Sequence, residues 1–289
     1  MQSYRGRFAP SPTGPLHFGS LFAAVISYLD ARKNKGLWFV RIEDLDPLRE
    51  QADSRQGIFE TLLAHGLKWD QEPRFQSRQT HLYEQTLSTL DKNKQLYACP
   101  CSRKQLEQHH GRHTEHCAQA SYLQSRNIPV ALKFKATNKI YTWQDTIQGE
   151  QSQLLNEDFV LKRKEGFYAY QLAVVSDDID QNITHVVRGF DLLSSTPMQL
   201  AIYEAVNCLP PVFSHFPVIV DQKGQKLSKQ SFAAPVDNAK ALQNLLRIFQ
   251  LLNIQLMATP KSIDDALYSA QEIWDLALIP QQDTMNNSH

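Results

Sequence analysis

The sequence has no excess of either charge. Its 30 lysines and arginines are balanced by 30 aspartates and glutamates. No overall field therefore attracts a polyanion, and contact with nucleic acid would have to rest on local patches. Cysteine is scarce, with four in 289 residues, and all but Cys208 fall between positions 99 and 117. That argues against a disulfide framework and for a reducing compartment and a metal, so a cytoplasmic location is expected. No run approaches the roughly 18 consecutive apolar residues of a membrane span, and no membrane contact is expected. The N-terminus, Met-Gln-Ser-Tyr-Arg, lacks the apolar core of a signal peptide. Internal repeats and low-complexity blocks are absent too. What remains is a chain with 42% hydrophobic residues, enough for one large α/β domain with an insertion, or for two domains.

One stretch organises the rest: Arg7-Phe8-Ala9-Pro10-Ser11-Pro12-Thr13-Gly14-Pro15-Leu16-His17-Phe18-Gly19-Ser20. A short apolar strand ends at Ala9, Pro-bracketed turns follow, and Gly14 lets the backbone approach a ligand. His17 and Gly19 open a helix with Leu21, Val25 and Leu29 at helical spacing. Strand, tight turn and helix N-terminus make an anion site. Spacing alone fits any strand–loop–helix of an α/β protein.

The words at those positions are more specific. His17-Phe18-Gly19-Ser20 resembles the HIGH nucleotide signature of the class I aminoacyl-tRNA synthetases. Ala9–Gly14, the run Arg41-Ile42-Glu43-Asp44-Leu45-Asp46, and Gly166–Asp178 resemble the glutamyl branch of that family. Lys226-Leu227-Ser228-Lys229-Gln230 resembles its second signature, KMSKS. The likeness covers about residues 5–230. It implies an α/β, Rossmann-like catalytic domain with a small zinc-binding insertion and a short C-terminal helical region. The corresponding division is 1–96 and 158–232 for the two catalytic halves, 97–157 for the insertion, and 233–289 for the C-terminal helices and tail.

Read in order, Leu37–Ile42 is a buried parallel strand, ending in Glu43. Asp44 and Asp46 read as caps of the next turn. Helices are expected near Asp53–Leu63, with Ile58, Phe59, Leu62 and Leu63 inward and Gly66 as the stop, and near Thr80–Lys92, with Tyr83, Leu87 and Leu90 on one face. Residues 97–117 hold Cys99, Cys101 and Cys117 with His109, His110, His113 and His116. A C-x-C pair and Cys117 supply three zinc ligands, and His113 is the simplest fourth, with His116 its rival. A solvated His-rich loop is the bland alternative. Such a closed site has a structural, not a catalytic, role. Residues 118–157 read as a polar insertion with a modest stripe of Lys133, Lys135 and Lys139, which is ordinarily a solvated face. Cys208 reads as a buried small apolar residue and His185 as structural. A strand over 183–191 carries Arg188, and Ser194-Ser195-Thr196-Pro197 starts a helix with a hydroxyl cap. Two helices near Ala239–Leu252 and Ile263–Ala277 precede a polar tail, Gln281–His289, expected to be disordered.

The resemblance implies a glutamate pocket of Arg7, Phe8, Ala9, Pro10, Ser11, Glu43, Tyr170 and Arg188. It implies an ATP site of His17, Gly19, Ser20, Lys226 and Lys229, with His17 and Lys229 catalytic, and Mg²⁺ accompanying ATP. Ser20 replaces the second histidine of HIGH, so it can hydrogen-bond there but carries no charge. Activation needs no base, because the glutamate carboxylate is already ionised. Only residues 231–289 follow the lysine loop, too few for the large anticodon-binding region of the long enzymes. The short members of the branch activate glutamate without tRNA. They transfer it to the cyclopentenediol of queuosine at the wobble position of tRNA(Asp), so the expected partner is that anticodon stem-loop and the expected state a monomer. A minimal enzyme charging the tRNA 3′ end, and a non-catalytic RNA-binding paralogue, are the other two readings.

Overall fold

The computed structural model describes residues 3–101 except 47, 49 and 52, together with 104, 129–220 and 234–286. Along the chain run β1 (Arg5–Phe8), α1 (Phe18–Lys33), β2 (Leu37–Ile42), α2 (Ser54–Ala64), β3 (Arg74–Phe75), α3 (Thr80–Lys92) and β4 (Leu96–Cys99). Then come β5 (Ala131–Phe134), the hairpin β6 (Lys139–Asp145) and β7 (Gly149–Leu155), β8 (Phe159–Lys162), α4 (Tyr170–Asp180) and β9 (His185–Gly189). The last are α5 (Thr196–Ala205), β10 (Val212–Phe216), β11 (Val218–Val220), α6 (Ala241–Leu251), α7 (Ile263–Ile273) and β12 (Thr284–Asn286).

β1, β2 and β3 pair in parallel, as do β9 and β10. The two groups meet where Thr184 N–H donates to the Arg5 carbonyl and Arg5 N–H to Thr184 Oγ1. The strand sequence across the body is therefore β3-β2-β1-β9-β10, a doubly wound order that reverses between β1 and β9. Ligands of such sheets bind beyond the carboxyl ends of the strands at that reversal. Strands covered on both faces are largely apolar, and β2 is buried from Trp38 to Ile42, with Arg41 its one charged residue. Helix α1 packs on β1 and β2 through Leu21, Phe22, Val25, Ile26 and Leu29, all buried in the main core. α6 and α7 close the same core with Leu245, Ile248, Phe249 and Ala266.

Residues 131–155 are woven into the body. β5 lies between β4 and β8, and β6 reaches β10 at the register Asp145↔Phe213. Lys133 is consequently buried in its sheet, while Lys139 pairs with Glu204 at 2.6 Å. The expected stripe of three lysines does not form, because Lys133 is buried within β5, Lys135 is exposed beyond its end, and Lys139 is held by Glu204.

Other expectations are corrected locally. Leu63 faces solvent, because α2 buries the face of Ser54, Ile58, Thr61 and Leu62. Gly66 does end that segment, with φ +72°. Asp44 caps no turn. It accepts Ser77 N–H and Oγ–H at 2.8 and 2.7 Å and pairs with Arg55, tying the end of β2 to the loop after β3. α5 has no hydroxyl cap; a 3₁₀ turn over Phe190–Ser195 runs directly into it. Cys208 is only half-buried. The tail is not wholly disordered: Thr284–Asn286 pair in parallel with β11 and bury Met285.

Candidate active site

A cavity of about 760 Å³ opens at the reversal between β1 and β9. It is lined by Arg7, Phe8, Ala9, Pro10 and Ser11 from the end of β1, His17, Gly19 and Ser20 from the start of α1, Glu43, Tyr170 and Arg188. Every pocket residue expected from the sequence that the structure describes thus faces one hollow. Lys226 and Lys229 lie outside the described residues. So do His113, His116 and Cys117.

Each side chain reaches the cavity for a local reason. β1 must bury Phe8 beneath α1, so Arg7, one step earlier, emerges on the opposite face. His17 caps α1 and takes Ser20 N–H on Nδ1 at 3.2 Å, with Ser20 Oγ 2.9 Å from its other ring nitrogen. Ser20 is thereby bound to His17 at the helix mouth, where free N–H groups favour an anion. Gly14, at φ +135°, turns the intervening loop in a conformation other residues rarely adopt.

The electrostatics are organised by three buried arginines. Arg7 Nε donates to Asp178 Oδ1 at 3.2 Å, and Arg41 Nη1 donates to the same oxygen at 2.7 Å. Burial raises the Asp178 carboxyl, but Arg41 and Arg7 outweigh it and hold the group below its usual range. Glu43 Oε1 lies 4.0 Å from Arg41 Nη2. Burial dominates there and pushes the Glu43 pKa up to about 7, with Arg41 and Arg7 offsetting only part of it. Glu43 is thus a carboxylate whose burial its neighbouring cations only partly offset.

Arg188 is the converse. Its Nε donates to His215 Nε2 at 2.9 Å, Nη1 to Gln199 Oε1 at 2.8 Å, and Nη2 to Thr196 Oγ1 at 3.0 Å and the Leu192 carbonyl at 3.3 Å. All four acceptors are neutral, and the ring of Phe213 lies 5.1 Å below the guanidinium carbon. Among the described residues no carboxylate comes within ion-pair distance of it. Burial, only partly offset by Tyr170, holds its pKa below the ordinary arginine value. A buried cation of this kind is stabilised by an incoming anion. Cavity and charges together suit a small zwitterion with an extra carboxylate.

The model of the tRNA synthetases class I (E and Q) catalytic domain matches residues 3–279. The chain belongs to this family. Proteins named glutamyl-Q tRNA(Asp) synthetase are similar to it over almost their whole length. That from Idiomarina loihiensis is 41% identical over 283 residues, which cover 95% of this chain and 99% of the relative. That from Vibrio vulnificus is 40% identical, covering 96% and 92%. Among solved class I synthetases, a glutamate tRNA ligase from Elizabethkingia meningosepticum in complex with its amino acid superimposes with a TM-score of 0.79 at 26% identity. That superposition covers 99% of this chain and 67% of the ligase.

The sequence reading missed the residues that support these arginines. Asp178, His215, Gln199, Thr196 and Asp145 come from four separate segments. Asp178 carried one signal, a run of acids (Asp177, Asp178 and Asp180) closing a largely apolar helix. The others carried none, because their contacts arise from strand order. Of the expected zinc ligands, the two that are described, Cys99 and Cys101, do not line this hollow. Cys99 and Cys101 sit with Tyr97 in a separate small cluster at the end of β4.

Proposed function

We propose that this chain activates glutamate with ATP, without tRNA, and transfers it to the cyclopentenediol of queuosine at the wobble position of tRNA(Asp). The observation that carries the first half is the pairing, in one cavity, of a cation lacking an anion among the described residues, Arg188, with a carboxylate that buried cations only partly compensate, Glu43. The 40–41% identity to relatives named for queuosine-bearing tRNA(Asp) supports the second half.

In this reading Glu43 receives the ammonium group, and its carboxyl ionises as it does so. The side-chain carboxylate lies against Arg188, with Tyr170 beside it, and the Arg7–Asp178 pair fixes the floor. The α-carboxylate then attacks the α-phosphorus of ATP and expels pyrophosphate. His17 and the N-terminus of α1 hold the phosphates, and Lys226 and Lys229 of the lysine loop are the expected source of further positive charge. Mg²⁺ enters with the nucleotide and lowers its charge. A hydroxyl of the diol next attacks the glutamyl carbonyl, and AMP leaves. No catalytic base is required for the first step, which makes positioning the main task of the protein.

Zinc would be held by Cys99, Cys101, His113 and Cys117. The clustering of Cys99 and Cys101 at one strand end fits the start of such a site. Three thiolates and one imidazole suit zinc and leave no open position, so its contribution is to folding.

Pyrophosphate exchange tests the reading. The chain should exchange pyrophosphate into ATP with glutamate and without any tRNA. No exchange would favour a non-catalytic RNA-binding paralogue, and exchange only with tRNA would favour charging of the 3′ end.

A further inference from the structure

Arg188 is held by a line of buried side chains that crosses three adjacent strands. Its Cα partner across β9 and β10 is His215. His215 Nδ1 is hydrogen-bonded to Asp145 Oδ2 on β6. Asp145, His215 and Thr196 are fully buried, and Gln199 almost so. Neither Asp145 nor His215 lines the cavity, so any effect they have on a ligand passes through Arg188.

The donors leave one arrangement of protons. Arg188 Nε always carries hydrogen, so His215 Nε2 must accept. The neutral ring then carries its proton on Nδ1 and donates it to Asp145 Oδ2. The other oxygen of Asp145 accepts three backbone N–H groups, from Ile147 at 3.1 Å, Gln148 at 2.9 Å and His215 at 3.1 Å. Those bonds fix which oxygen faces the ring. Burial and the Arg188 cation lower the His215 pKa, and Asp145 and Asp191 raise it by less, so the ring is neutral. Thr196 and Gln199 complete the hold. Gln199 in turn donates to Gln171 Oε1 of α4 at 2.9 Å.

We propose that Asp145 and His215 are positioning residues for the substrate carboxylate: Asp145 sets the His215 tautomer, and that tautomer holds the Arg188 guanidinium in the orientation that binds glutamate. The proposal rests on glutamate being the substrate of this pocket.

Asp145→Asn separates tautomer from shape. The three backbone N–H groups demand an oxygen, so the asparagine NH₂ must turn to His215 Nδ1. The ring then accepts at Nδ1 and carries its proton on Nε2, where it meets the Arg188 Nε–H as a second donor. His215→Gln offers an amide oxygen to Arg188 and has no tautomer to set. Wild type, Asp145→Asn, His215→Gln and the double variant are compared by tRNA-free pyrophosphate exchange, with separate KM values for glutamate and ATP and a melting curve for each.

Asp145→Asn should raise the glutamate KM roughly 10- to 100-fold, the size of a lost hydrogen bond to a charged group, with the ATP KM unchanged. His215→Gln should lose less. In the His215→Gln background Asp145→Asn should add little, since the ring it acts through is gone. An unchanged glutamate KM in Asp145→Asn, equal rises for both substrates, or fully additive losses in the double variant would overturn the proposal. Should Asp145→Asn not fold, His215→Ala is set against His215→Gln. A larger glutamate KM for alanine supports the role and equal values refute it. Absence of glutamate-dependent exchange in the wild type would instead overturn the substrate reading, and this inference with it.

Discussion

Arg188 and Glu43 present opposite charges to one cavity, and neither has a full partner within the protein. Removing Arg188 should therefore act on binding more than on folding. Arg188→Ala should cut glutamate-dependent pyrophosphate exchange by about 100-fold or more, given two charge-assisted hydrogen bonds of roughly 1.5–3 kcal/mol each, with a cooperative melt retained. Exchange at ordinary glutamate concentration would remove Arg188 from the pocket. Glu43 gives a pH signature. Its pKa is raised to about 7 above the ordinary carboxyl value, so the free site is half protonated near neutrality and increasingly protonated below it. The ammonium needs the carboxylate, so the glutamate KM should rise as pH falls through about 7. Glu43→Gln should weaken glutamate binding at high pH and flatten that limb. The same shift has a stability side. Because the folded pKa lies above the unfolded one, ionisation of Glu43 costs stability as pH rises from the ordinary carboxyl range to about 7. Urea titration at pH 7.5 (about half a unit above the pKa) should then find Glu43→Gln more stable than the wild type. A KM profile identical in shape for both proteins would refute the assignment.

At the scale of elements, the strand ends were legible and the lateral contacts were not. β1, β2, α1 and α3 follow from apolar runs, a helical period and turn residues, all local signals. β12 did not, because three residues become a strand only by lying beside β11, and nothing in Thr284–Asn286 announces that neighbour. The hydroxyl cap expected for α5 failed for a related reason. Thr196 Oγ1 accepts from Arg188, a contact from another strand that no local rule contains. The metal segment mixes both cases. Its C-x-C motif is local, and Cys99 ends β4 buried beside Cys101, while the other two expected ligands, His113 and Cys117, lie outside the described residues. If zinc joins Cys99, Cys101, His113 and Cys117, it pins the end of β4. Chelation should then lower the melting temperature, and zinc should restore it. An unchanged melting curve after verified removal of the metal would exclude the structural role.

For the whole molecule, one cavity must serve two reactions whose acceptors differ. In the proposed reaction glutamate and ATP meet at the reversal of the sheet, and the resulting mixed anhydride is attacked there by a vicinal diol. The ribose at a tRNA 3′ end and the cyclopentenediol of queuosine present similar diols, so pocket chemistry does not choose between them. The choice is made by which part of the tRNA can reach the cavity, and zero net charge means that reach depends on local contacts. The relatives named for tRNA(Asp) match along at least 92% of their length, which favours the anticodon end. Radiolabelled glutamate and ATP should thus label tRNA(Asp) at its wobble nucleotide. Label should persist on tRNA(Asp) lacking its 3′-terminal adenosine and vanish on tRNA(Asp) made without queuosine. The reverse pattern, with label lost on removal of the 3′ adenosine and kept without queuosine, would identify a charging enzyme that uses the same pocket on the other end of the tRNA.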